Sequence, residues 1–353
     1  MVLAAAVLAT LLGASVLLSD SAQASRAATA PGEAAGGPGR GAGAAAMGQP
    51  VARRAGKRTF RVIRRAADAS ELKNFKAKEA TLVDPRTFDG AEPKRMIFIG
   101  DVHGCLAEFN ALLDKVQYKQ GEDQIVLVGD LVAKGPDSTG VVSRARQLGA
   151  WGVRGNHDDR VIRWYEFIHG PAKGISASEL ESLQGSGDLP YDDFKPKKEH
   201  LGIAQSLAAC DAAYFAAFPA MIPLPKPYAG WLVLHGGLDP TKPLAEQKAE
   251  NVWTTRNIGP DGPISTTDQG DAWFDAWAKA MAGLKPTTPA DYTKIQFYKP
   301  IYGHDAGRSL QIHPLTKGLD SRCVYGGELT AFVLPGEKLV SVPCKEHVSS
   351  KDD

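Results

Sequence analysis

Five short apolar runs in the sequence are each followed, within a few residues, by side chains that could bind a metal ion or transfer a proton. The runs are MIFIG, IVLVG, WGVRG, WLVL and PIYG, and most are flanked by glycine. The polar residues that follow them are Asp101, His103, Asp130, Asn156, His157, Asp158, His235 and His304. Carboxylate and amide oxygens with imidazole nitrogens suit divalent Zn, Mn, Fe or Co, and no cysteine stands at these five ends to supply a thiolate. The pattern therefore predicts a metal site.

The order of these residues indicates two metal ions rather than one. Two side chains would complete the shell of the first ion, Asp101 and His103. Three others would complete the shell of the second, Asn156, His235 and His304. Asp130 lies midway along the set and could bridge both ions. A dinuclear site of this kind can activate water and clamp a phosphoryl group for in-line attack.

Two residues of the set remain for proton transfer. His157 directly follows a proposed ligand and is free to act as the general acid. Asp158 beside it could fix its tautomer and orientation, as a carboxylate behind a histidine often does.

Strand-like and helix-like stretches alternate from about residue 95 to residue 343, which predicts a single α/β domain with strands buried on both faces. Ligands bind outside the carboxyl ends of the strands in such sheets, so the five ends can share one crevice. The segment 170–198 is rich in Gly, Ser and Pro and is predicted to be a surface excursion that could overhang this crevice.

The motifs GDVHG, GDLVAKG, RGNHD, HGG and GH resemble, in this order, the motif series of calcineurin-like metallophosphoesterases of the phosphoprotein phosphatase superfamily. The resemblance covers roughly residues 95–340. It implies a β-sandwich flanked by helices, a dinuclear centre of divalent ions at the carboxyl ends of the strands, and metal-dependent phosphohydrolase activity. The ligand and proton-donor roles that it implies are those assigned above.

The second motif departs from the DRG of the protein Ser/Thr phosphatases, because Ala133 and Lys134 replace Asp and Arg. Lysine is a point charge rather than a bidentate fork, which disfavours a protein phosphatase. GDLVAKGPDS, GHDA and GLDSRCVYGGELTA instead look like the ApaH-like branch, relatives of bacterial diadenosine tetraphosphatase. That branch includes fungal vacuolar endopolyphosphatases with an N-terminal membrane segment, and enzymes that cleave nucleotide pyrophosphate bonds, including RNA caps.

Three basic residues are candidates for phosphate contacts. Lys134 takes the place of the gripping arginine of the second motif. Arg256, in NVWTTRNIG, resembles the second phosphate-gripping arginine of the family. Arg154, before GNHD, could grip phosphate or pair with a core carboxylate.

Further aromatic and histidine side chains are expected to be structural. Trp273, Phe274 and Trp277 have the helical spacing of core residues, although a base-stacking role would look similar. The histidines without a strand-end context are expected to be structural or solvated; they are His169, His200, His313 and His347.

The first functional hypothesis is internal cleavage of inorganic polyphosphate by an endopolyphosphatase. The alternatives are a dinucleoside-polyphosphate or mRNA-cap pyrophosphohydrolase, a Ser/Thr protein phosphatase, and an inactive metal-binding scaffold. The net charge of the 353 residues is +1, so no DNA binding is expected.

The N-terminal region predicts the cellular location of the protein. Residues 1–19 carry no charge and could be a cleaved signal peptide or a single-pass membrane anchor. Either would send the chain into the secretory pathway, with the vacuole as the expected destination and a cytoplasmic protein as the alternative. Residues 20–94 are expected to be a low-complexity and basic linker, 95–343 the catalytic domain and 344–353 a polar tail.

The four cysteines are too few for a disulfide scaffold. One bridge is possible in an oxidising compartment, with Cys323 and Cys344 as its only candidate pair. Free buried thiols are the alternative.

Overall fold

The computed structural model describes residues 69–88, 90–284 and 297–349. The helices of this part are α1 (Ala69–Lys73), α2 (Leu106–Lys115), α3 (Ser138–Gln147), α4 (Asn156–His169), α5 (Ala177–Ser186), α6 (Glu199–Ser206), α7 (Ala209–Ala216), α8 (Ala249–Thr254) and α9 (Trp273–Met281), with a 3₁₀ turn at Leu244–Glu246. The strands are β1 (Arg95–Ile99), β2 (Asp123–Leu127), β3 (Trp151–Gly152), β4 (Ile222–Pro223), β5 (Trp231–Val233), β6 (Asn257–Gly259), β7 (Gly262–Ile264), β8 (Asp271–Ala272), β9 (Lys299–Tyr302), β10 (Gln311–Ile312), β11 (Lys317–Gly318), β12 (Glu328–Leu334) and β13 (Lys338–Pro343).

Two five-stranded sheets form the centre of the domain. The first has the order β13-β12-β1-β2-β3 and the second the order β10-β11-β9-β5-β4. β1, β2 and β3 are parallel, as are β5, β9 and β11, while the remaining strands of both sheets pair antiparallel to their neighbours. Five of these six parallel strands, all but β11, lead to the predicted ligands. A smaller sheet has the order β7-β6-β8.

Alternate residues of the central strands pack into different core layers, because successive side chains of a strand point to opposite faces. One face of β1 and β2 packs against the second sheet through Met96, Phe98, Val126 and Val128, together with Ile222, Val233 and Ile301. The opposite face carries Ile97, Ile99, Ile125 and Leu127 against helix residues such as Phe109 and Leu112. The outer face of the second sheet packs on α9 through Leu232, Tyr302, Trp273 and Trp277. This confirms the predicted fold class, a β-sandwich flanked by helices with strands buried on both faces.

Residues before the first strand already belong to the folded part. Leu72 of α1 is buried in the helical core layer, and Val83 forms a β-bridge with Met221. The chain therefore packs on the domain well before residue 95, where the sequence placed the domain boundary.

The segment 170–198 is ordered by aromatic packing and ion pairs rather than being a bare loop. It contains α5, and the ring of Phe194 stacks on Trp164 with centroids 3.8 Å apart. Asp193 accepts hydrogen bonds from Arg160 and Arg163 of α4. The segment is thereby held against the helix that begins at Asn156.

Cys323 and Cys344 form a disulfide, with the two Cα atoms 5.1 Å apart. It joins the connection between β11 and β12 to the residues that follow β13. The backbone N–H of His347 also donates to the carbonyl of Val324. Of the two alternatives left open by the sequence, the bridged pair is the one found.

None of the helices within residues 69–88, 90–284 and 297–349 is long and apolar enough to cross a membrane. The predicted signal peptide or anchor at residues 1–19 lies outside the described residues, and so does most of the predicted linker.

Candidate metal centre

The six predicted metal ligands follow five parallel strands and come together at one edge of the sandwich. Asp101 and His103 follow β1, Asp130 follows β2, and Asn156 follows β3 as the first residue of α4. The other two follow the parallel strands of the second sheet, His235 after β5 and His304 after β9. Since parallel strands end at the same edge of a sheet, the topology alone explains why residues so far apart in the chain meet.

Asp130 lies at the centre of this cluster. Its Oδ2 atom is 3.3 Å from Nε2 of His235 and 3.7 Å from Nε2 of His103. Two three-residue groups have ligand atoms within 4.8 Å of one another, and Asp130 belongs to both: Asp101, His103 and Asp130, and Asp130, His235 and His304. The carboxylate that the sequence predicted as a bridge is thus the one shared by both groups.

Backbone carbonyls orient the imidazole rings. Nδ1 of His103 lies 3.0 Å from the carbonyl oxygen of Val132, and Nδ1 of His235 lies 2.9 Å from that of Val128. These contacts leave the Nε2 atoms of both rings facing Asp130. Nε2 of His304 lies 3.1 Å from the carbonyl of Thr254, which leaves its Nδ1 atom for the cluster. Such contacts fix the tautomer and orientation of metal-binding histidines.

Three of the clustered residues have left-handed backbones. The φ angles are 44° at His103, 50° at Asp130 and 72° at His304. A positive φ costs a residue other than glycine about 1–3 kcal/mol, and such residues concentrate at functional sites where the surroundings enforce them. The left-handed backbone at these three positions therefore helps to direct their side chains into the cluster.

Asp101 provides the test of whether metal ions fit this centre. Its Oδ2 atom accepts a 2.9 Å hydrogen bond from the backbone N–H of His304. Its Oδ1 atom is buried and has no hydrogen-bond partner among the described residues. A buried, unpartnered carboxylate oxygen facing imidazoles is satisfied by a cation. The donor set, all oxygen and nitrogen, suits the divalent ions expected from the sequence.

Electrostatics within the cluster favour an ionised bridge. Burial alone would raise the pKa of Asp130, but His235 and His157 outweigh it and hold that pKa well below its ordinary value. Burial would likewise lower the pKa of His235, but Asp130 raises it to about 10. Burial raises the pKa of Asp101 well above its ordinary value, with the Asp320 charge adding to the effect. Metal binding has to displace these protons, as it does at other sites built from carboxylates and imidazoles.

The surroundings of His157 differ from the prediction. Both carboxylate oxygens of Asp158 accept backbone hydrogen bonds, from Leu131 N–H at 2.9 Å and from Gly155 N–H at 3.0 Å. Asp158 therefore caps α4 and ties it to the loop after β2, and it is not the partner of His157. Neighbouring residues of a helix do not face each other, which is why adjacency in sequence was misleading.

The partner of His157 is His200, which the sequence left among the structural or solvated histidines. Nδ1 of His157 lies 3.0 Å from Nε2 of His200, and the rings stack with centroids 5.2 Å apart. The backbone N–H of His157 donates to Oδ1 of Asp130 at 3.0 Å, so the ring is held next to the proposed bridge. Burial lowers the pKa of His157 well below its ordinary value and that of His200 to about 4.

Arg154 makes the second of its two predicted arrangements. Its side chain is 2% exposed and donates to Asp159 at 3.1 Å and to the carbonyl of Ala216 at 2.7 Å. It pairs with a core carboxylate instead of facing the metal centre, which removes it from the candidates for phosphate contact.

The other two basic candidates border the centre. Nζ of Lys134 lies 2.6 Å from the hydroxyl of Tyr325, and its backbone N–H donates to Glu199. Arg256 donates to the carbonyl of His304 at 3.2 Å, and its side chain is 30% exposed. A cavity of about 530 Å³ opens here, lined by Arg256, Tyr325 and Arg322 among others.

Two residues near this cavity were not predicted from the sequence. Asp320 and Arg322 follow β11, another parallel strand of the second sheet. Asp320 is 5% exposed, close enough to Asp101 to raise its pKa, and Arg322 lies over the Tyr325 ring at 5.5 Å. The only available signal was an Asp two residues after a two-residue strand, in GLDSR.

The aromatic set on α9 is part of the core. Trp273 and Trp277 are 1% and 3% exposed, and the indole N–H of Trp277 donates to the carbonyl of Tyr298. Phe274 is 8% exposed. Burial of this kind excludes the base-stacking role for the two tryptophans.

Comparison with known proteins adds an independent line of evidence. The family profile described as calcineurin-like phosphoesterase matches residues 94–328. Two relatives are both named bis(5'-nucleosyl)-tetraphosphatase, symmetrical. The one from Janthinobacterium sp. (strain Marseille) is 26% identical over 270 residues, which are 70% of this chain and 96% of the relative. The one from Baumannia cicadellinicola is 28% identical over 278 residues, 72% of this chain and 94% of the relative.

A solved structure agrees. The crystal structure of a candidate diadenosine tetraphosphatase is 33% identical in sequence, superposes with a TM-score of 0.56, and covers 76% of this chain and 99% of its own. The motif resemblance to metallophosphoesterases and to their ApaH-like branch is confirmed, whereas the specific likeness to endopolyphosphatases finds no support in these relatives. The family binds a dinuclear centre of divalent ions, and the chain holds the residues for one. The chain belongs to the calcineurin-like phosphoesterase family and is a metal-dependent phosphohydrolase.

Proposed function

We propose that the protein hydrolyses dinucleoside polyphosphates, with P1,P4-dinucleoside tetraphosphates as the substrate class and two nucleoside diphosphates as the products. The observation that carries the proposal is the shared carboxylate of Asp130 between two ligand groups, beside a cavity lined by Arg256 and Arg322. The relatives named above support the choice of substrate, since they match over nearly their whole length and are named for this reaction. Neither of these relatives is named for cleavage of inorganic polyphosphate, the substrate first expected from the sequence.

Six residues would hold the two ions. The first would bind Asp101 and His103, the second Asn156, His235 and His304, and both would bind Asp130. When bound, such ions lower the pKa of a water molecule and stabilise negative charge on a phosphoryl group.

The remaining residues would bind phosphate and move a proton. Arg256 and Lys134 border the centre and would neutralise oxygens of the tetraphosphate, the first with a planar fork and the second with a point charge. His157 would deliver a proton to the leaving phosphate oxygen, and His200 would hold its ring in place. A nucleoside diphosphate is a stable leaving group, so this proton transfer contributes less than charge neutralisation does.

The test is product analysis with the purified chain. Diadenosine tetraphosphate, long-chain polyphosphate and a phosphopeptide would each be incubated with added Mn²⁺, Zn²⁺ or Co²⁺, and the products separated by ion-exchange chromatography. We expect ADP as the single nucleotide product, and loss of turnover in Asp130→Asn. Production of ATP with AMP would contradict cleavage at the central bond. A ladder of shortened polyphosphates beside intact dinucleotide would overturn the proposal in favour of polyphosphate.

A further inference from the structure

A second and larger cavity adjoins the metal centre and has no role in the account above. Its volume is about 1030 Å³, just above the ~300–1,000 Å³ typical of small-molecule sites. Asn156 and Thr254 line it. Asn156 lies 3.2 Å from Nε2 of His235 through its Oδ1 atom, and the carbonyl of Thr254 lies 3.1 Å from Nε2 of His304. The cavity therefore reaches the second group of ligands directly.

One short segment contributes residues to both cavities. Trp253 and Thr254, at the end of α8, line the larger cavity, and Arg256 lines the smaller one. His304 contacts both parts of the segment, through Thr254 at its ring and through Arg256 at its carbonyl. If the central bond of a dinucleoside polyphosphate lies at the ions, the part of the substrate on one side of that bond can enter the larger cavity and the part on the other side can enter the smaller one.

Charge in the larger cavity is nearly balanced. Six lysines and arginines line it against five aspartates and glutamates. Its arginines are already paired: Arg163 contacts both Asp159 and Asp193, and Arg160 contacts Asp193. A track for a bare polyanion needs a large excess of cations, which this nearly balanced lining lacks, so the surface suits an uncharged part of a ligand.

The walls offer stacking surfaces. Trp253, Tyr191 and Phe75 line the cavity. The Arg154 guanidinium lies 5.9 Å from the Trp253 ring and backs it with a buried cation. The indole Nε1 atom of Trp253 is buried without an acceptor among the described residues. Indole and phenol rings stack on bases of any sequence because every base has a π-face.

We infer that the larger cavity binds one nucleoside of the substrate, with its base against Trp253. The tetraphosphate then runs across the ions, and the other arm of the substrate occupies the cavity at Arg256 and Arg322. The inference rests on the proposed function and deepens it, since it names the surface that selects a nucleotide over inorganic phosphate chains. Part of that surface, from Lys73 to Leu82, lies before the residues matched by the family profile.

The experiment compares nucleoside binding with phosphate binding in the full chain. The KM for diadenosine tetraphosphate depends on nucleoside binding and on phosphate binding. The inhibition constant of inorganic pyrophosphate depends on phosphate binding alone. Loss of a stacked base costs about 1–3 kcal/mol, or roughly 5- to 150-fold. We expect the ratio of KM to this inhibition constant to rise about tenfold in Trp253→Leu and to stay within about threefold of the wild type in Trp253→Phe.

A second variant keeps the test independent of the fold around Trp253. Ala80→Trp adds a large ring to the wall of the cavity from a segment outside regular secondary structure, and should raise the same ratio by a similar factor. Ala91→Trp, at an exposed position that does not line the cavity, is the matched control and should leave the ratio unchanged.

The outcomes separate the two claims. Wild-type protein that does not cleave diadenosine tetraphosphate contradicts the proposed function. Wild-type protein that cleaves it, with unchanged ratios in both Trp253→Leu and Ala80→Trp, overturns the assignment of the cavity and leaves the proposed function standing.

Discussion

Nδ1 of His157 lies 3.0 Å from Nε2 of His200, and the two rings stack at an interplanar angle of 18°. Burial lowers the pKa of both imidazoles, so one nitrogen of the pair donates a hydrogen bond to the other. His157 is anchored at its other side by the hydrogen bond from its backbone N–H to Asp130. The ring that we assign to proton transfer is therefore positioned by a neutral histidine from α6.

Removing this positioning residue should slow turnover without abolishing it. We expect His200→Ala to lower kcat by about tenfold, because groups that orient a ligand or catalytic histidine are typically worth 10- to 100-fold. His157→Ala should lower kcat by about 10²-fold, the lower end of the usual contribution of a general acid, because a nucleoside diphosphate is a stable leaving group. Steady-state kinetics with diadenosine tetraphosphate measure both. His169→Ala, on an exposed histidine of α4, is the control, and equal kcat values for His200→Ala and His169→Ala would refute the positioning role.

Gly303 should tolerate no side chain. A Cβ atom built on it would overlap Oδ1 of Asp101, the oxygen assigned to the first ion, which has no hydrogen-bond partner within the described part of the chain. Gly303→Ala should therefore displace this carboxylate, lower the metal content of the purified protein and reduce kcat at least a hundredfold. Metal analysis by inductively coupled plasma mass spectrometry, together with kinetics, measures both effects.

Gly185→Ala is the matched control for this substitution. No atom of the described residues lies within 4 Å of its added Cβ atom, and the residue stands within α5, where alanine is the better helix former by about 0.5–1 kcal/mol. Its metal content and kcat should equal those of the wild type. Full metal content in Gly303→Ala would show that Asp101 does not bind metal in the way described.

Asp193 should contribute a pH-dependent part of the stability. Burial would raise its pKa, but hydrogen bonds and charge from Arg163 and Arg160 outweigh it and hold the pKa at about 2. Because the folded pKa is below the unfolded value of about 3.9, the contribution is present above about pH 4 and is lost as the pH falls towards 2. The side chain is 35% exposed, so after allowance for solvent screening we expect about 1 kcal/mol.

Denaturant unfolding of Asp193→Asn from pH 7 to pH 2 tests this expectation. The difference in unfolding free energy from the wild type should be about 1 kcal/mol at pH 7 and close to zero at pH 2. Asp192→Asn, at the exposed neighbouring position, should show no difference at either pH. A deficit in Asp193→Asn that persists unchanged at pH 2 would rule out the ion pairs as its cause.

The disulfide should stabilise the connection that carries Arg322 and Tyr325. It spans 21 residues of sequence, and closing a loop of that size removes about 3 kcal/mol of unfolded-state entropy. Cys344→Ser should therefore lower the unfolding free energy by about 2–3 kcal/mol under oxidising conditions. Cys210→Ser, which removes an exposed free thiol, should not change it. With dithiothreitol present, Cys344→Ser and the wild type should become alike, and a difference that survives reduction would contradict the assignment.

The sequence predicted most of the metal centre for a physical reason. Each predicted ligand follows an apolar run long enough to be recognised as a buried strand, and parallel strands deliver their ends to one edge. Asp101 and Asp130 could therefore be placed together without knowledge of the sheet order. The two faces of β1 pack on different layers, which agrees with the prediction of strands buried on both faces.

The residues that escaped prediction depend on packing that periodicity does not encode. His200 reaches His157 only because the segment 170–198 folds onto α4 through contacts such as Phe194 on Trp164. Asp320 follows β11, whose two residues, Lys317 and Gly318, do not form an apolar run. The cavity at Trp253 also escaped, because it is assembled from four separate stretches of chain.

The most direct test of the account is the number of metal ions that depend on Asp130. The full chain would be loaded with Mn²⁺ or Zn²⁺, freed of excess ion, and measured by inductively coupled plasma mass spectrometry beside Asp130→Asn and His304→Ala. We predict two ions per chain in the wild type, one in His304→Ala and fewer than one in Asp130→Asn, with phosphohydrolase activity following the count. Two tightly bound ions in Asp130→Asn, or a single ion in the fully active wild type, would contradict a centre built on that shared carboxylate.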